Sequence, residues 1–220
     1  MSLYRDQGIV LRTWKLGESD RIIVIITEEN GKVRAVAKGV RKTRSKFGGR
    51  LEPTSHVALQ LFRGKGELGI VTQAETIDRF QNIRSEPELF SDASSMLEVV
   101  DHVSPDESPD PSRYKMLLGA LRTLDEKSSP MLVPSFFLKL LDHEGLAPEL
   151  GFCVKCLAVD NLVAISISEG GVFCNECQRG RSISDASIAV MRAILGGGLK
   201  QALEVKDMKT VSEIDRITSE

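Results

Sequence analysis

The residues best equipped for chemistry are the chain's 4 cysteines, which form two pairs, Cys153-Val-Lys-Cys156 and Cys174-Asn-Glu-Cys177, with 17 residues between them. Two residues between cysteines allow a tight knuckle turn that aims both sulfurs at one point. Two such knuckles complete a tetrahedron, the geometry of a four-thiolate zinc site. Full coordination leaves no open position, so the expected cofactor is one structural Zn²⁺ rather than a catalytic one. Four thiolates on one Zn²⁺ carry a charge of about −2, and Lys155, Arg179 and Arg181 are near enough in sequence to offset it. Four unrelated buried thiols, or a redox dithiol, are the alternatives. Two matched pairs argue against both.

A second chemistry lies upstream. Between Glu29 and Glu52 there is no acidic residue, while Lys32, Arg34, Lys38, Arg41, Lys42, Arg44, Lys46 and Arg50 all fall in that interval. Arg34, Val36 and Lys38 alternate onto one face of a strand, and Gly39 to Arg50 reads as a glycine-flanked, mobile loop. Cations on a strand face joined to a basic loop are an electrostatic footprint for a phosphate backbone. The candidate nucleic-acid contacts are Arg34, Lys38, Arg41, Lys42, Arg44, Lys46 and Arg50. Phe47 either stacks on a base or anchors the loop.

Catalytic groupings do not emerge. His56, His102 and His143 are scattered without ligand-like spacing. There is no G-x-x-x-x-G-K-[ST] loop and no H-x-E with P-C-x-x-C. The expectation is a protein that is not an enzyme.

These groups need elements to hold them. Residues 4–78 read as five short strands. Ile22–Ile26 runs through Asn30-Gly31 into Val33–Lys38, a hairpin signal because both central residues of a type I′ turn need positive φ. His56–Arg63 alternates in period two, and Gly64-Lys65-Gly66 turns it into Leu68–Ala74. With Gly8–Thr13, five strands in about 80 residues fit an OB-like barrel. From Pro87 the apolar period becomes helical. Helices are predicted after Pro87, from Ser112 (as N-cap) to Glu126, from near Pro134 to Gly145, from Ser184 to Gly196, and, weakly, over 210–217. Between the cysteine pairs, Val163, Ile165 and Ile167 alternate and Gly170-Gly171 turns back, forming a small hairpin that delivers the second knuckle to the first. The expected class is α+β and multidomain. An OB-fold barrel occupies 1–82, a helical domain 83–150 (continued by 182–220), and the zinc module is inserted at 151–181.

Composition bounds the function. With 41% hydrophobic residues, wholesale disorder is excluded. The longest aliphatic run, Ile22–Ile26, is far short of the roughly 20 residues that span a bilayer, and Met1–Asp6 has no apolar core of a secretory signal. A cytosolic address without membrane partners is expected. Net charge is −2, yet residues 1–82 carry +6 and residues 83–220 carry −8, so an anionic partner is expected for the first segment only.

Several segments together resemble the RecO family of bacterial recombination mediators. They are Gly17-Glu18-Ser19-Asp20 before an apolar strand, Gly31-Lys32, Val36-Ala37-Lys38-Gly39-Val40-Arg41, and Leu51-Glu52-Pro53 after the basic loop. Leu140-Leu141-Asp142-His143-Glu144-Gly145-Leu146-Ala147-Pro148-Glu149-Leu150 and the cysteine pairs around Gly170-Gly171 follow. The match runs in order over about residues 4–195 and is weak in the last 25. The resemblance implies an OB fold, a helical domain and a four-cysteine zinc module. It also implies binding of single- and double-stranded DNA, strand annealing, and work with RecR to load RecA on DNA coated by single-stranded-DNA-binding protein, whose acidic C-terminal tail docks on the helical domain. Lys38 and Arg41 lie in matching segments. Lys42, Arg44, Lys46 and Arg50 rest on charge and position. The competing reading is a zinc-ribbon and OB protein of transcription or translation that binds RNA. A zinc-dependent or redox enzyme is a third, disfavoured by full thiolate coordination.

Overall fold

The computed structural model describes residues 2–64 and 66–219. Lys65, in the predicted Gly64-Lys65-Gly66 turn, lies outside the described residues. The chain divides into two compact units, Met1–Lys127 and Ser128–Glu220.

In the first unit, strands β1 (Ser2–Leu16), β2 (Asp20–Thr27), β3 (Gly31–Ala37), β4 (His56–Arg63) and β5 (Gly69–Asp78) close into a barrel of order β1-β2-β3-β5-β4. β3 and β5 pair in parallel and the other neighbours are antiparallel. This is an OB-type five-stranded barrel. Closure depends on the length of β1, whose 15 residues are more than twice the span expected from Gly8–Thr13. Its first half pairs with β4 and its second with β2, and a bulge between Val10 and Arg12 bends it between the two. Alternation sends Val10, Ile23, Ile25, Val33, Leu59 and Leu61 into the barrel core.

The β2–β3 hairpin turns at Gly31, whose φ of +68° and closeness to the Ser108 carbonyl both exclude a side chain. Outside the barrel come α1 (Gln81–Ser85), α2 (Pro87–Val103) and α3 (Pro111–Glu126), with α2 packed on β1. Sequence reading missed α1, one turn and a half long. It also misplaced the cap of α3. Asp110, not Ser112, accepts the Arg113 backbone N–H at 2.9 Å, and Pro111 takes the first helical position, where its missing N–H costs nothing.

The second unit holds α4 (Leu132–His143), a three-stranded sheet of order β7-β6-β8 from β6 (Leu162–Ser166), β7 (Gly171–Cys174) and β8 (Arg181–Ser182), then α5 (Asp185–Leu195), α6 (Leu199–Ala202) and α7 (Met208–Thr218). Ser184 caps α5 as expected. Ser184 and Ser187 also donate to the Glu213 carboxylate at 2.6 and 2.7 Å, tying α5 to α7. The final helix is firmly built: Asp207 caps it, and Val211, Ile214 and Ile217 are buried in a core shared with Met131, Leu138, Phe173 and Met191.

The compact units cut across the boundaries drawn from composition. Helices α1–α3 belong with the barrel, and α4 belongs with the cysteine segment and the last helices. The charge split softens accordingly. Residues 83–127 add five Lys/Arg and ten Asp/Glu, taking the first unit from +6 to +1. Among the described residues, no helix is long and apolar enough to cross a membrane.

Candidate metal centre and nucleic-acid interface

All four cysteines converge. Their Sγ atoms lie within 4.8 Å of one another, with Cys156 and Cys174 at 3.6 Å. A tetrahedral zinc at about 2.3 Å from each sulfur sets sulfur–sulfur edges of about 3.8 Å, so the cluster has the size of a closed metal site. The thiols are unpaired by disulfides.

The local sequence explains the convergence. In the first knuckle the Leu157 N–H reaches the Cys153 carbonyl at 2.9 Å, which forces Leu157 to φ +67°, an uncommon conformation for a bulky residue. In the second, the Cys177 N–H reaches the Cys174 carbonyl at 3.2 Å. The β6–β7 hairpin sets Cys174 at its end, and the Val154 N–H bonds to the Val172 carbonyl, tying the two knuckles together. Gly171 and Gly180 sit where a Cβ would strike the carbonyls of Glu149 and Ile165.

The donor set is that of a cation site. Burial raises the Cys153 thiol, but backbone N–H groups from Cys174, Cys156 and Lys155 outweigh it and bring its pKa down to about 6. Cys177 is pushed up to about 12 by its hydrogen bond with Cys156, then by burial. One thiolate forms readily, and full ionisation calls for positive charge between the sulfurs. Arg179, expected to help neutralise the site, pairs with Glu169 at 3.6 Å.

The basic loop lies across one end of the barrel. The Arg41 N–H bonds to the Ser19 carbonyl, and its guanidinium donates to the Glu18 carbonyl at 2.9 Å. Lys46 Nζ donates to the Thr72 carbonyl of β5 at 2.8 Å, and Arg50 Nη1 to the Phe47 carbonyl at 3.0 Å. These acceptors are neutral, so each cation keeps its charge. Lys38, Lys42 and Arg44 are exposed, with no side-chain hydrogen bond or ion pair among the described residues. The Asp20 carboxylate, at the loop's root, is held below the usual range first by the Gly39 N–H and then by Ser19, with Lys38 and Lys42 adding to it.

Phe47 resolves toward the anchor. It is 1% exposed, packed with Leu51 in the barrel core, with the Lys46 ammonium 4.9 Å from its ring centre. The loop is thus tied to the barrel through Arg41, Lys46, Phe47 and Leu51.

Arg34 stands apart from the other candidates. Its Nη2 lies 2.9 Å from Asp106, in the loop after α2. Neighbouring Lys32 is buried and reaches both Asp101 and Asp106 at 3.3 Å, and Arg12 Nε reaches Asp101 at 2.6 Å. Arg63 likewise meets Glu107 at 2.8 Å. A cleft of about 560 Å³ beside Arg34 and Arg63 therefore has its cations matched by acids. Sequence reading missed this pairing because Asp106 lies far along the chain.

The comparisons with known proteins cover both units. Residues 1–80 match the family model described as Recombination protein O N terminal, and residues 84–220 match Recombination protein O C terminal. The chain belongs to the RecO family. It is 41% identical over 207 residues to the DNA repair protein RecO of Cutibacterium acnes, covering 90% of this chain and 84% of that one. The RecO proteins of Streptomyces griseus and Streptomyces coelicolor are each 41% identical over 208 residues, with the same coverage. The second RecO family model runs to residue 220, taking in the last 25 residues, where motifs alone gave a weak match.

Proposed function

We propose that this RecO-family protein is a non-enzymatic DNA-binding mediator of recombinational repair. It binds single- and double-stranded DNA, anneals complementary strands and, with RecR, helps RecA load on DNA coated by single-stranded-DNA-binding protein, whose acidic C-terminal tail is a second ligand. The observation that carries this reading is the basic loop: Lys38, Arg41, Lys42, Arg44, Lys46 and Arg50 on one pinned segment at the end of an OB barrel, with no acid in its sequence. Arg34 joins the interface when it parts from Asp106. A backbone-binding surface of this kind grips DNA without reading its sequence, which suits a protein that must act on any broken chromosome.

The four cysteines would hold one structural Zn²⁺, which supplies no chemistry beyond fastening the knuckles to the shared core. The absence of an open ligand position in such a site fits a protein whose work is binding.

The test combines strand annealing with capture of single-stranded-DNA-binding protein. Annealing of complementary oligonucleotides should accelerate in the presence of the protein, and a partner lacking its C-terminal tail should no longer be captured. Tighter binding to matched RNA than to single-stranded DNA, with no annealing, would overturn the reading.

A further inference from the structure

We infer that the first cysteine knuckle of the second unit presents a docking cleft for a partner protein, one that offers a basic side chain set between apolar ones. The cleft carries the opposite charge to the basic loop and is independent of the DNA-binding reading.

The chain at this knuckle accepts two costs that a simpler sequence would avoid. Leu157 and Val159, two residues apart, are 68% and 65% exposed. Leu157 also holds φ +67°, a conformation that glycine takes freely and leucine does not. A glycine after Cys156 would close the same turn without strain and without exposed apolar surface. Single exposed apolar residues are ordinary. Two beside one cleft, one of them on strained backbone, point to a surface that something covers.

The segment is rigid as well as exposed. The Leu157 N–H donates to the Cys153 carbonyl at 2.9 Å, and the Cys153 N–H donates to the Ala158 carbonyl at 2.7 Å. At the other end, the Asn175 N–H of the second knuckle donates to the Asn161 carbonyl at 3.0 Å. Backbone fixed in this way loses little freedom when a partner arrives.

Charge selects the partner. Leu157, Val159 and half-buried Val163 line a cleft of about 690 Å³ together with Cys156, Asp160 and Glu176. Asp160 and Glu176 are exposed and make no side-chain hydrogen bond or ion pair among the described residues. Among the described residues no lysine or arginine lines the cleft, and Arg179, close by in sequence, is engaged with Glu169 at 3.6 Å. Four thiolates on Zn²⁺ would add a charge of about −2 to that of the two carboxylates. An anionic cleft with an aliphatic rim repels DNA and acidic peptides alike. It fits an arginine or lysine whose stem lies along Leu157 and Val159 while its head meets Asp160 and Glu176.

The probe is a fluorescein-labelled peptide alternating leucine with arginine, titrated into the full-length protein as purified and read by anisotropy. A peptide alternating leucine with glutamate, and oligoarginine, are the controls. The first peptide should bind more tightly than either. Leu157→Gly should weaken it roughly tenfold while zinc content and melting temperature hold, because glycine suits that φ. Val159→Ser, at an exposed position, should act likewise. Asp160→Asn with Glu176→Gln should weaken it a few-fold at low salt and flatten its salt dependence. Equal affinity for the three peptides, or unchanged affinity in the variants, overturns the proposal. So does loss of zinc in both Leu157→Gly and Val159→Ser, which makes the two side chains part of the knuckle's own packing. Self-association that disappears in Leu157→Gly gives the cleft to a second copy, and a fall in oligothymidylate affinity in that variant gives it to DNA. Both outcomes count against the inference.

Discussion

Arg34 Nη2 and Asp106 Oδ2 lie 2.9 Å apart, so a cation in the most basic stretch of the chain is neutralised by an acid from the loop after α2. Lys32, two residues earlier, is spent in the same way on Asp101 and Asp106. Of the acid-free interval, the part still offering uncompensated charge is the loop from Lys38 to Arg50.

Releasing Arg34 should therefore strengthen DNA binding. Asp106→Ala should raise single-strand affinity a few-fold and steepen the log–log salt slope by about 0.7, the contribution of one added phosphate contact. The gain should vanish in an Arg34→Ala background, a double-mutant cycle that separates the specific pair from the general change in charge. An equal gain in both backgrounds would show that Arg34 makes no contact with DNA.

Phe47 belongs to the barrel core rather than to the exposed face of the basic loop. Phe47→Ala should destabilise the first unit by about 3–5 kcal/mol, as for other buried phenylalanines, read as a lower unfolding midpoint. Phe47→Leu, which keeps an apolar anchor, should retain DNA affinity. Loss of single-strand affinity in a stably folded Phe47→Leu variant would instead mark the ring as a stacking group.

The cysteine cluster shares its core with helices α4, α5 and α7 through Cys153 and Cys174. One zinc per chain should co-purify. Cys174→Ala, or strong chelation, should lower the melting temperature and cost helical signal in circular dichroism, because binding energy at a structural site is folding energy. Metal-free protein with freely reactive thiols and an unchanged melt would contradict the assignment.

His56 gives the first unit a pH dependence. It is 2% exposed, its Nε2 lies 2.8 Å from the Tyr114 hydroxyl, and its Nδ1 has no hydrogen-bond partner among the described residues. Burial, then Arg122, depress its pKa below the usual 6.5, against smaller opposing effects of Asp78 and Glu28. The unfolded chain thus takes a proton near pH 6.5 that the folded one refuses until lower pH. Stability is present above about pH 6.5 and falls as pH drops below it. Thermal melts between pH 5 and 7.5 should show this slope, and His56→Gln should flatten it. A slope unchanged in that variant would assign it to other groups.

Short-range signals in the sequence were reliable where chemistry is local. The Cys-x-x-Cys knuckles, the β2–β3 hairpin, the Ser184 cap and the helical periods all depend on residues within a few positions of one another, and all appear in the structure, although the hairpin turns over Glu28, Glu29 and Asn30 with Gly31 alone at positive φ rather than through a type I′ turn on Asn30-Gly31. What was hidden depends on distant partners. Nothing near Arg34 announces Asp106, and nothing near Phe47 says that the barrel end will swallow its ring. The extent of β1 was hidden because Ser2–Gln7 is polar and half-exposed. It is a strand because β4 needs a partner to close the barrel. Likewise the grouping of α4 with the cysteine segment follows from a common core to which Met131 and Leu138 contribute, a relation no composition boundary could reveal.

We propose that the loop from Lys38 to Arg50 is the DNA-backbone contact. The deciding experiment is the salt dependence of single-stranded DNA binding for the wild-type protein and for Lys42→Glu with Arg44→Glu, two exposed cations that make no ion pair among the described residues. Binding to every sequence tested should weaken, and the log–log slope should become shallower by about 1.4, two lost contacts at about 0.7 each. Unchanged affinity and slope in that folded double variant would place the DNA contact outside this loop.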